Sequence, residues 1–177
     1  MTPPPAPPSA DPTPAAGRAR RDEVAHALDR AGLLVERRGA LPEWVTGIAD
    51  DSRQVQPGAL FVAVRGSARD GHEYVADAEG KGAIALVVED PEATTLPALV
   101  VREGRRAAAV AAAAVHGDPA TRLTLVGVTG TNGKTTTVGM VRHLLDAPHA
   151  PAASIGTLRL LVGSAGEQMP GGAGLTT

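Results

Sequence analysis

Apolar residues recur along the chain in short runs that alternate with helical spacings from about residue 20 onward. A helix is predicted to start at Arg20 and to end near Gly32, with acidic residues in its first turn. Its apolar face is formed by Val24, Leu28, Ala31 and Val35. The same criteria predict helices at residues 75–81 and 105–116, and strands at residues 44–49, 60–64, 83–88 and 98–101. Alternation of this kind predicts an α/β fold.

The next apolar run, residues 123–128, predicts a strand buried on both faces. The nine residues that follow read TGTNGKTTT, and after them apolar residues return at helical spacing up to residue 145. In a strand, glycine loop and helix of this order, backbone N–H groups and the positive end of the helix dipole converge on one anion. We therefore predict a phosphate-binding loop formed by Gly130, Thr131, Asn132, Gly133, Lys134, Thr135 and Thr136.

Four residues of this loop have predicted roles. Gly130 and Gly133 let the backbone approach phosphate oxygens, Lys134 reaches the β- and γ-phosphates as the catalytic residue, and the Thr135 hydroxyl ligates Mg²⁺. The first glycine of the general phosphate-loop pattern is replaced by Val128. The alternative is a plain glycine turn between a strand and a helix, with an exposed lysine.

Composition and charge narrow the function classes. With 177 residues, 43% hydrophobic and 20% charged, the chain can bury one full core or two small ones. A net charge of −2 and three aromatic residues argue against nucleic-acid binding. No apolar run approaches the roughly 18 residues of a spanning helix, so we expect no membrane partner. The absence of cysteine fits a reducing compartment, and we expect a cytoplasmic protein. The five histidines show no metal-ligand spacing.

Breaker residues divide the chain into three predicted parts. Residues 1–19 are proline-rich and predicted to be a disordered tail, with a polyproline docking segment as the alternative. Gly117, Asp118 and Pro119 end the alanine-rich helix, which places a domain boundary near Asp118. The first domain then covers residues 20–118, and residues 119–177 begin a second one. Only one further strand, at about residues 152–158, precedes a glycine-rich run at 163–174, so we expect this domain to be incomplete.

The TGTNGKTTT loop resembles the ATP loop of the Mur ligases, the ATP-dependent amide-forming enzymes of peptidoglycan precursor synthesis, in which the early glycine is likewise absent. A second resemblance lies nearer the amino terminus. Asp51-Ser52-Arg53 and Asp70-Gly71-His72 are similar to elements of the uridine-nucleotide-binding domain of the Mur ligases that add the third amino acid (MurE type) or the final dipeptide (MurF type). Thr131, Ile155-Gly156-Thr157 and Thr176-Thr177 resemble the third-residue type. The resemblance covers residues 24–177, about the first third of such an enzyme.

The resemblance implies a small α/β UDP-sugar-binding domain followed by the start of a P-loop parallel-sheet ATP-binding domain, with ATP and Mg²⁺ as cofactors. Ser52 would contact the UDP-sugar substrate, and the loop from Gly66 to Gly71 would lie against its uridine diphosphate. Thr176 and Thr177 would touch the muramoyl-peptide side. Without the resemblance, Ser52 and Arg53 would be interpreted as a polar turn between strands.

The reaction implied is transfer of the γ-phosphoryl group of ATP to the D-glutamyl carboxylate of UDP-N-acetylmuramoyl-L-alanyl-D-glutamate. The acyl phosphate is then attacked by the amine of diaminopimelate or L-lysine, and the sequence does not distinguish these two amino acids. Three alternatives stay open: a dipeptide-adding Mur ligase, a ligase similar to folylpolyglutamate synthase, and a module that binds a UDP-sugar or nucleotide without catalysis. We expect the 177-residue chain alone to be inactive.

Overall fold

The computed structural model describes residues 19–65 and 70–168, without the side chains of residues 19–21 and 159. Nearly all of the predicted tail, residues 66–69 of the predicted uridine-diphosphate loop, and Thr176 and Thr177 lie outside the described residues. Two compact units are present, Met1–Leu123 and Thr124–Thr177. The division into domains near Asp118 stays a prediction about the complete protein. None of the described helices is long and apolar enough to cross a membrane.

The first unit alternates strands and helices, as the apolar pattern predicts. Its elements are β1 (Ala19–Arg20), α1 (Arg21–Arg30), β2 (Leu34–Arg38), β3 (Trp44–Val45), β4 (Ile48–Ala49), β5 (Leu60–Val62), α2 (Val75–Gly80), β6 (Ala85–Val88), β7 (Ala98–Val101) and α3 (Gly104–Val115). Short 3-10 helices lie at Ser52–Gln54, Gly71–Tyr74, Pro91–Ala93 and Pro119–Arg122. The α/β class is confirmed.

A five-stranded sheet in the order β2-β7-β6-β5-β4 organises this unit. The strands β4, β5, β6 and β7 are parallel, and β2 is antiparallel to β7. Residues along β5 to β7 alternate between two apolar layers. Leu60, Val62 and Leu99 pack with α1 and α3 on one face, whereas Phe61 and Leu86 pack with α2 on the other. Both faces are covered, which explains why these strands are continuous apolar runs.

Two predictions for the first unit were wrong in detail. Val35, assigned to the face of the first helix, lies in β2 and is 58% exposed, because Gly32 ends the helix region at φ +69°. The predicted strand at residues 44–49 is two strands, since β3 pairs with β1 and β4 pairs with β5 in different sheets. Their interruption at Thr46 and Gly47 is bridged by backbone bonds from Thr46 N–H to Gly58 O (2.9 Å) and from Leu60 N–H to Gly47 O (2.9 Å).

The second unit contains α4 (Lys134–Leu145) and an antiparallel sheet of β8 (Ala153–Gly156), β9 (Arg159–Val162) and β10 (Glu167–Gln168). The helix and the strand at β8 were predicted. The strand at residues 123–128 was not found: residues 124–129 have no strand assignment, and the Leu125 side chain is 70% exposed. A strand exists only where a neighbouring strand accepts its backbone hydrogen bonds. The two-residue turn after Gly156 makes β8 a hairpin strand, instead of the parallel strand expected in this unit.

Candidate functional site

The predicted phosphate loop lies in the second unit and leads directly into α4. Gly130 has φ +144° and Gly133 has φ +78°, both in the region that side-chain-bearing residues rarely adopt. Gly133 is the residue before the helix, and its carbonyl accepts from Thr137 N–H at 2.9 Å. The two glycines therefore turn the chain sharply into the helix, as the TGTNGK pattern predicts.

Lys134 is the first residue of α4, and its ammonium group folds back over the loop. Its Nζ atom donates to Gly130 O at 2.5 Å and to Thr131 O at 3.4 Å. The N–H groups of the first helical turn have no acceptor within the helix, so those of Lys134, Thr135 and Thr136 are available to an anion. A cation and several N–H donors therefore lie in the same short exposed segment, and the assignment of residues 130–136 to phosphate binding stays a prediction.

Only one residue of this unit, Thr135, is a predicted metal ligand. Thr135 places a hydroxyl in the exposed first turn of α4, where it could be one ligand of Mg²⁺ bound to a nucleotide. Among the described residues, no group of three or more His, Asp or Glu side chains could hold a metal ion. The assignment of Thr135 as a metal ligand stays a prediction.

A second candidate region is the carboxyl edge of the parallel sheet in the first unit. Parallel strands end at the same edge, and ligands of open α/β sheets bind there. Asp51 and Ser52 follow β4, Arg65 follows β5, and Glu89 follows β6. Topology therefore brings the two predicted motif elements, which are 19 residues apart in sequence, to neighbouring strand ends.

The Asp51-Ser52-Arg53 element forms a tight turn after β4. Asp51 caps the 3-10 helix by accepting from Arg53 N–H at 3.0 Å, and the Arg53 guanidinium binds the same carboxylate with contacts of 2.7–3.1 Å. The side-chain hydrogen bond from Arg53 lowers the pKa of Asp51 well below its usual range. Ser52 is buried, at 5% exposure. Hydrogen bonds, first from Lys81 and then from the Ser52 hydroxyl, lower the pKa of Asp77 on α2.

The lowered pKa of Asp77 indicates that Ser52, the predicted substrate contact, donates its hydroxyl proton within the unit. Its oxygen keeps acceptor capacity, because a hydroxyl has two lone pairs. A ligand that reaches it meets an acceptor oxygen, and a ligand N–H or O–H fits this better than a phosphate oxygen does. The burial and the Asp77 partner were not predicted from the sequence.

The Asp70-Gly71-His72 element starts the next 3-10 helix at this edge. The Asp70 carboxylate accepts from His72 N–H at 3.0 Å, the largest cause of its lowered pKa, and lies 2.6 Å from His72 Nδ1. On the other side of the ring, His72 Nε2 accepts from Glu89 N–H at 3.1 Å and Asp90 N–H at 3.3 Å. A Cβ atom on Gly71 would lie 2.7 Å from the backbone N and O of Val64. The glycine is required by this close approach.

Polar residues that sequence reasoning missed complete this edge. Glu89 Oε1 accepts from Gly104 N–H, at the start of α3, at 2.8 Å. Arg65 Nε lies 3.4 Å from Asp70 Oδ2 and 3.9 Å from Glu89 Oε2. Glu103 adopts a left-handed backbone with φ +56°, which turns the chain from β7 into α3. Their position within three residues after buried strands was the available signal in the sequence.

Comparison with known proteins gives concordant matches over both units. Residues 45–132 match the model of the Mur ligase family catalytic domain, and residues 128–174 match the Mur ligase middle domain. The chain is 44% identical over 144 residues to the UDP-N-acetylmuramoyl-L-alanyl-D-glutamate--2,6-diaminopimelate ligase of Chlorobaculum tepidum, covering 78% of the chain and 28% of that protein. It is 43% identical over 131 residues to the UDP-N-acetylmuramyl-tripeptide synthetase of Deinococcus radiodurans, covering 72% and 25%.

Solved structures show the same architecture. A crystal structure of MurF from Acinetobacter baumannii superposes with a TM-score of 0.58 at 25% identity, covering 73% of this chain and 28% of that one. The chain spans about a quarter of the length of the curated relatives that it matches, 28% and 26% for two of them.

Proposed function

The chain belongs to the Mur ligase family, and from this premise we propose that it acts as the amino-terminal part of an ATP-dependent ligase. The proposed enzyme adds the third amino acid to UDP-N-acetylmuramoyl-L-alanyl-D-glutamate in peptidoglycan precursor synthesis. Its substrates are this UDP-muramoyl dipeptide, ATP and either diaminopimelate or L-lysine. We place the reaction in the cytoplasm, where nucleotide-activated sugars and ATP are available.

One observation carries the proposal: the similarity to ligases of this name extends over both units. An alignment that covers 78% of the chain is longer than the first unit of 123 residues, so it includes part of the second. The carboxyl-edge elements and the phosphate loop therefore occur together, as an enzyme that joins a UDP-sugar peptide to an amino acid with ATP requires. A module that binds only a UDP-sugar has no use for the Lys134 loop.

The loop would bind the phosphates of ATP with its N–H groups, and Lys134 would neutralise charge on the transferred phosphoryl group. For this, the ammonium exchanges its bonds to Gly130 O and Thr131 O for bonds to phosphate oxygens. Mg²⁺, with Thr135 as one ligand, would supply further charge neutralisation. Positioning and electrostatics are the main contributions that a protein makes to phosphoryl transfer.

The proposed reaction has two balanced steps. The D-glutamyl carboxylate oxygen attacks the γ-phosphorus, the bond to the bridging oxygen breaks, and ADP leaves with that electron pair. The amine of the amino acid then attacks the acyl carbon, loses a proton, and inorganic phosphate leaves from the tetrahedral intermediate. In this scheme Ser52 at the carboxyl edge contacts the UDP-sugar, and Thr176 and Thr177 contact the muramoyl peptide.

A dipeptide-adding ligase is the second candidate, and the fold similarity to MurF favours it. The identity of 25% to that structure is lower than the 44% to a third-residue ligase. The discriminating experiment offers a full-length ligase containing this chain two acceptor pairs. Amide formation from UDP-N-acetylmuramoyl-L-alanyl-D-glutamate with diaminopimelate or L-lysine supports the proposal. Product only from the UDP-muramoyl tripeptide with D-alanyl-D-alanine would replace it.

A further inference from the structure

His72 bridges two backbone segments with both of its ring nitrogens. Nε2 faces two N–H donors, from Glu89 and Asp90, and must therefore act as an acceptor. Nδ1 consequently carries the proton and donates it to the Asp70 carboxylate at 2.6 Å. Only 9% of the His72 side chain is exposed. The ring has no nitrogen left for proton transfer or metal binding, so its role is to hold neighbouring groups in place.

On one side, this bridge fixes the ends of β5 and β6 relative to each other. Asp70 forms an isolated antiparallel bridge with Arg65, and Gly71 N–H donates to Val64 O at 2.9 Å. Both contacts tie the start of the 3-10 helix to the end of β5. His72 Nε2 then joins the same helix to the residues directly after β6.

On the other side, the bridge fixes the surroundings of Ser52. The 3-10 helix Gly71–Tyr74 continues without interruption into α2, whose first turn carries Asp77. The helix α2 lies against the 3-10 helix Ser52–Gln54, and a hydrogen bond from Ser52 is one cause of the lowered pKa of Asp77. One continuous helical segment therefore has His72 at its start and Asp77 five residues later. We infer that a displacement of His72 is passed along this segment to the surroundings of Ser52.

We propose that His72 is a positioning residue for the UDP-sugar substrate, acting through Asp70 and through Asp77 on the carboxyl edge that contains Ser52. This inference rests on the proposed function, in which that edge binds the UDP-sugar. His72 does not touch the substrate in this proposal. It sets the places of the groups that do, and a displacement of about 1 Å in such groups has large effects on recognition.

The test is calorimetric titration of the 177-residue chain with UDP-N-acetylmuramoyl-L-alanyl-D-glutamate. His72→Ala and His72→Asn remove the acceptor that meets Glu89 and Asp90, and we expect the dissociation constant to rise about tenfold or more. His72→Gln has a longer side chain whose amide oxygen reaches the Nε2 position, and we expect a rise of only about threefold. His26→Ala, at an exposed histidine of α1, is the matched control with unchanged affinity.

Each of the following outcomes would overturn the proposed positioning role. Wild-type affinity in folded His72→Ala, or equal losses in the Ala and Gln variants, would overturn the positioning role. Failure of both the Ala and Asn variants to fold would assign His72 to the stability of the fold alone and would also overturn it. Absence of binding by the wild-type chain would instead overturn the proposed function, and this inference with it.

Discussion

Gly71 offers a test of the close packing at the carboxyl edge, because alanine adds one atom to a defined place. The Cβ atom would lie 2.7 Å from both the N and O atoms of Val64, well inside ordinary van der Waals contact. These are backbone atoms two residues after the end of β5, an interior strand of the sheet, and cannot rotate away. The backbone conformation of Gly71 is not left-handed, so the penalty of Gly71→Ala is purely steric.

The magnitude follows from two contributions. Forcing a methyl group into a filled space costs typically about 1–3 kcal/mol. The shift that relieves it stretches the hydrogen bond from Gly71 N–H to Val64 O, now 2.9 Å, whose loss costs about 1 kcal/mol. We therefore expect Gly71→Ala to destabilise the first unit by about 2–4 kcal/mol. Its melting temperature should fall by roughly 10 °C or more.

Tryptophan fluorescence isolates the first unit in this measurement, because Trp44 is the only tryptophan of the chain. The matched control is Gly80→Ala, at the exposed end of α2, where an added Cβ meets nothing within 4 Å. Alanine is favoured over glycine in a helix, so this variant should be as stable as the wild type or up to about 1 kcal/mol more stable. Identical unfolding midpoints for Gly71→Ala and the wild type would refute the packing argument.

Further predictions concern the loop, the Ser52 turn, acid stability and the isolated chain. In a full-length ligase, Lys134→Ala should lower phosphate release at least about 100-fold without changing the melting temperature, since Nζ contacts only exposed loop carbonyls; undiminished turnover would rule out the loop assignment. Ser52→Ala should weaken calorimetric binding of UDP-N-acetylmuramoyl-L-alanyl-D-glutamate and lower the melting temperature slightly, because the buried Ser52 side chain loses its polar contact, and equal affinity would contradict the substrate role. The folded-state pKa values of Asp51, Asp70 and Asp77 are lowered from 3.8. Their stabilisation is therefore complete only above about pH 5 and is lost as the pH falls further, so midpoints by Trp44 fluorescence should decline below about pH 5, and less so in Asp51→Asn. The purified 177-residue chain should form no amide, and turnover above a Lys134→Ala control would refute this.

Local chemistry determined much of the architecture and the turn from the loop into α4. The strand β7 has the predicted bounds, and β6 and α3 lie within two residues of theirs, because continuous apolar runs and an alanine-rich segment express preferences that each residue carries by itself. The turn into α4 could equally be predicted from the sequence. Gly130 and Gly133 supply positive φ angles through their own lack of a side chain, so their places in the sequence set the conformation.

Tertiary structure decided which segments pair and which polar groups meet. The chain breaks between β3 and β4 because these strands pair with different neighbours, β1 and β5. Residues 124–129 form no strand because, among the described residues, no neighbouring strand accepts their backbone hydrogen bonds. The carboxyl edge shows the same limit. Ser52 lowers the pKa of Asp77, His72 accepts from the N–H groups of Glu89 and Asp90, and Glu89 accepts from Gly104 N–H. The two partners of each pair are 15 to 25 residues apart in the sequence. A hydrogen bond depends on distance in space, and the parallel pairing of β4 to β7, with the helices that follow these strands, brings the partners of His72 and Glu89 within 2.8–3.3 Å.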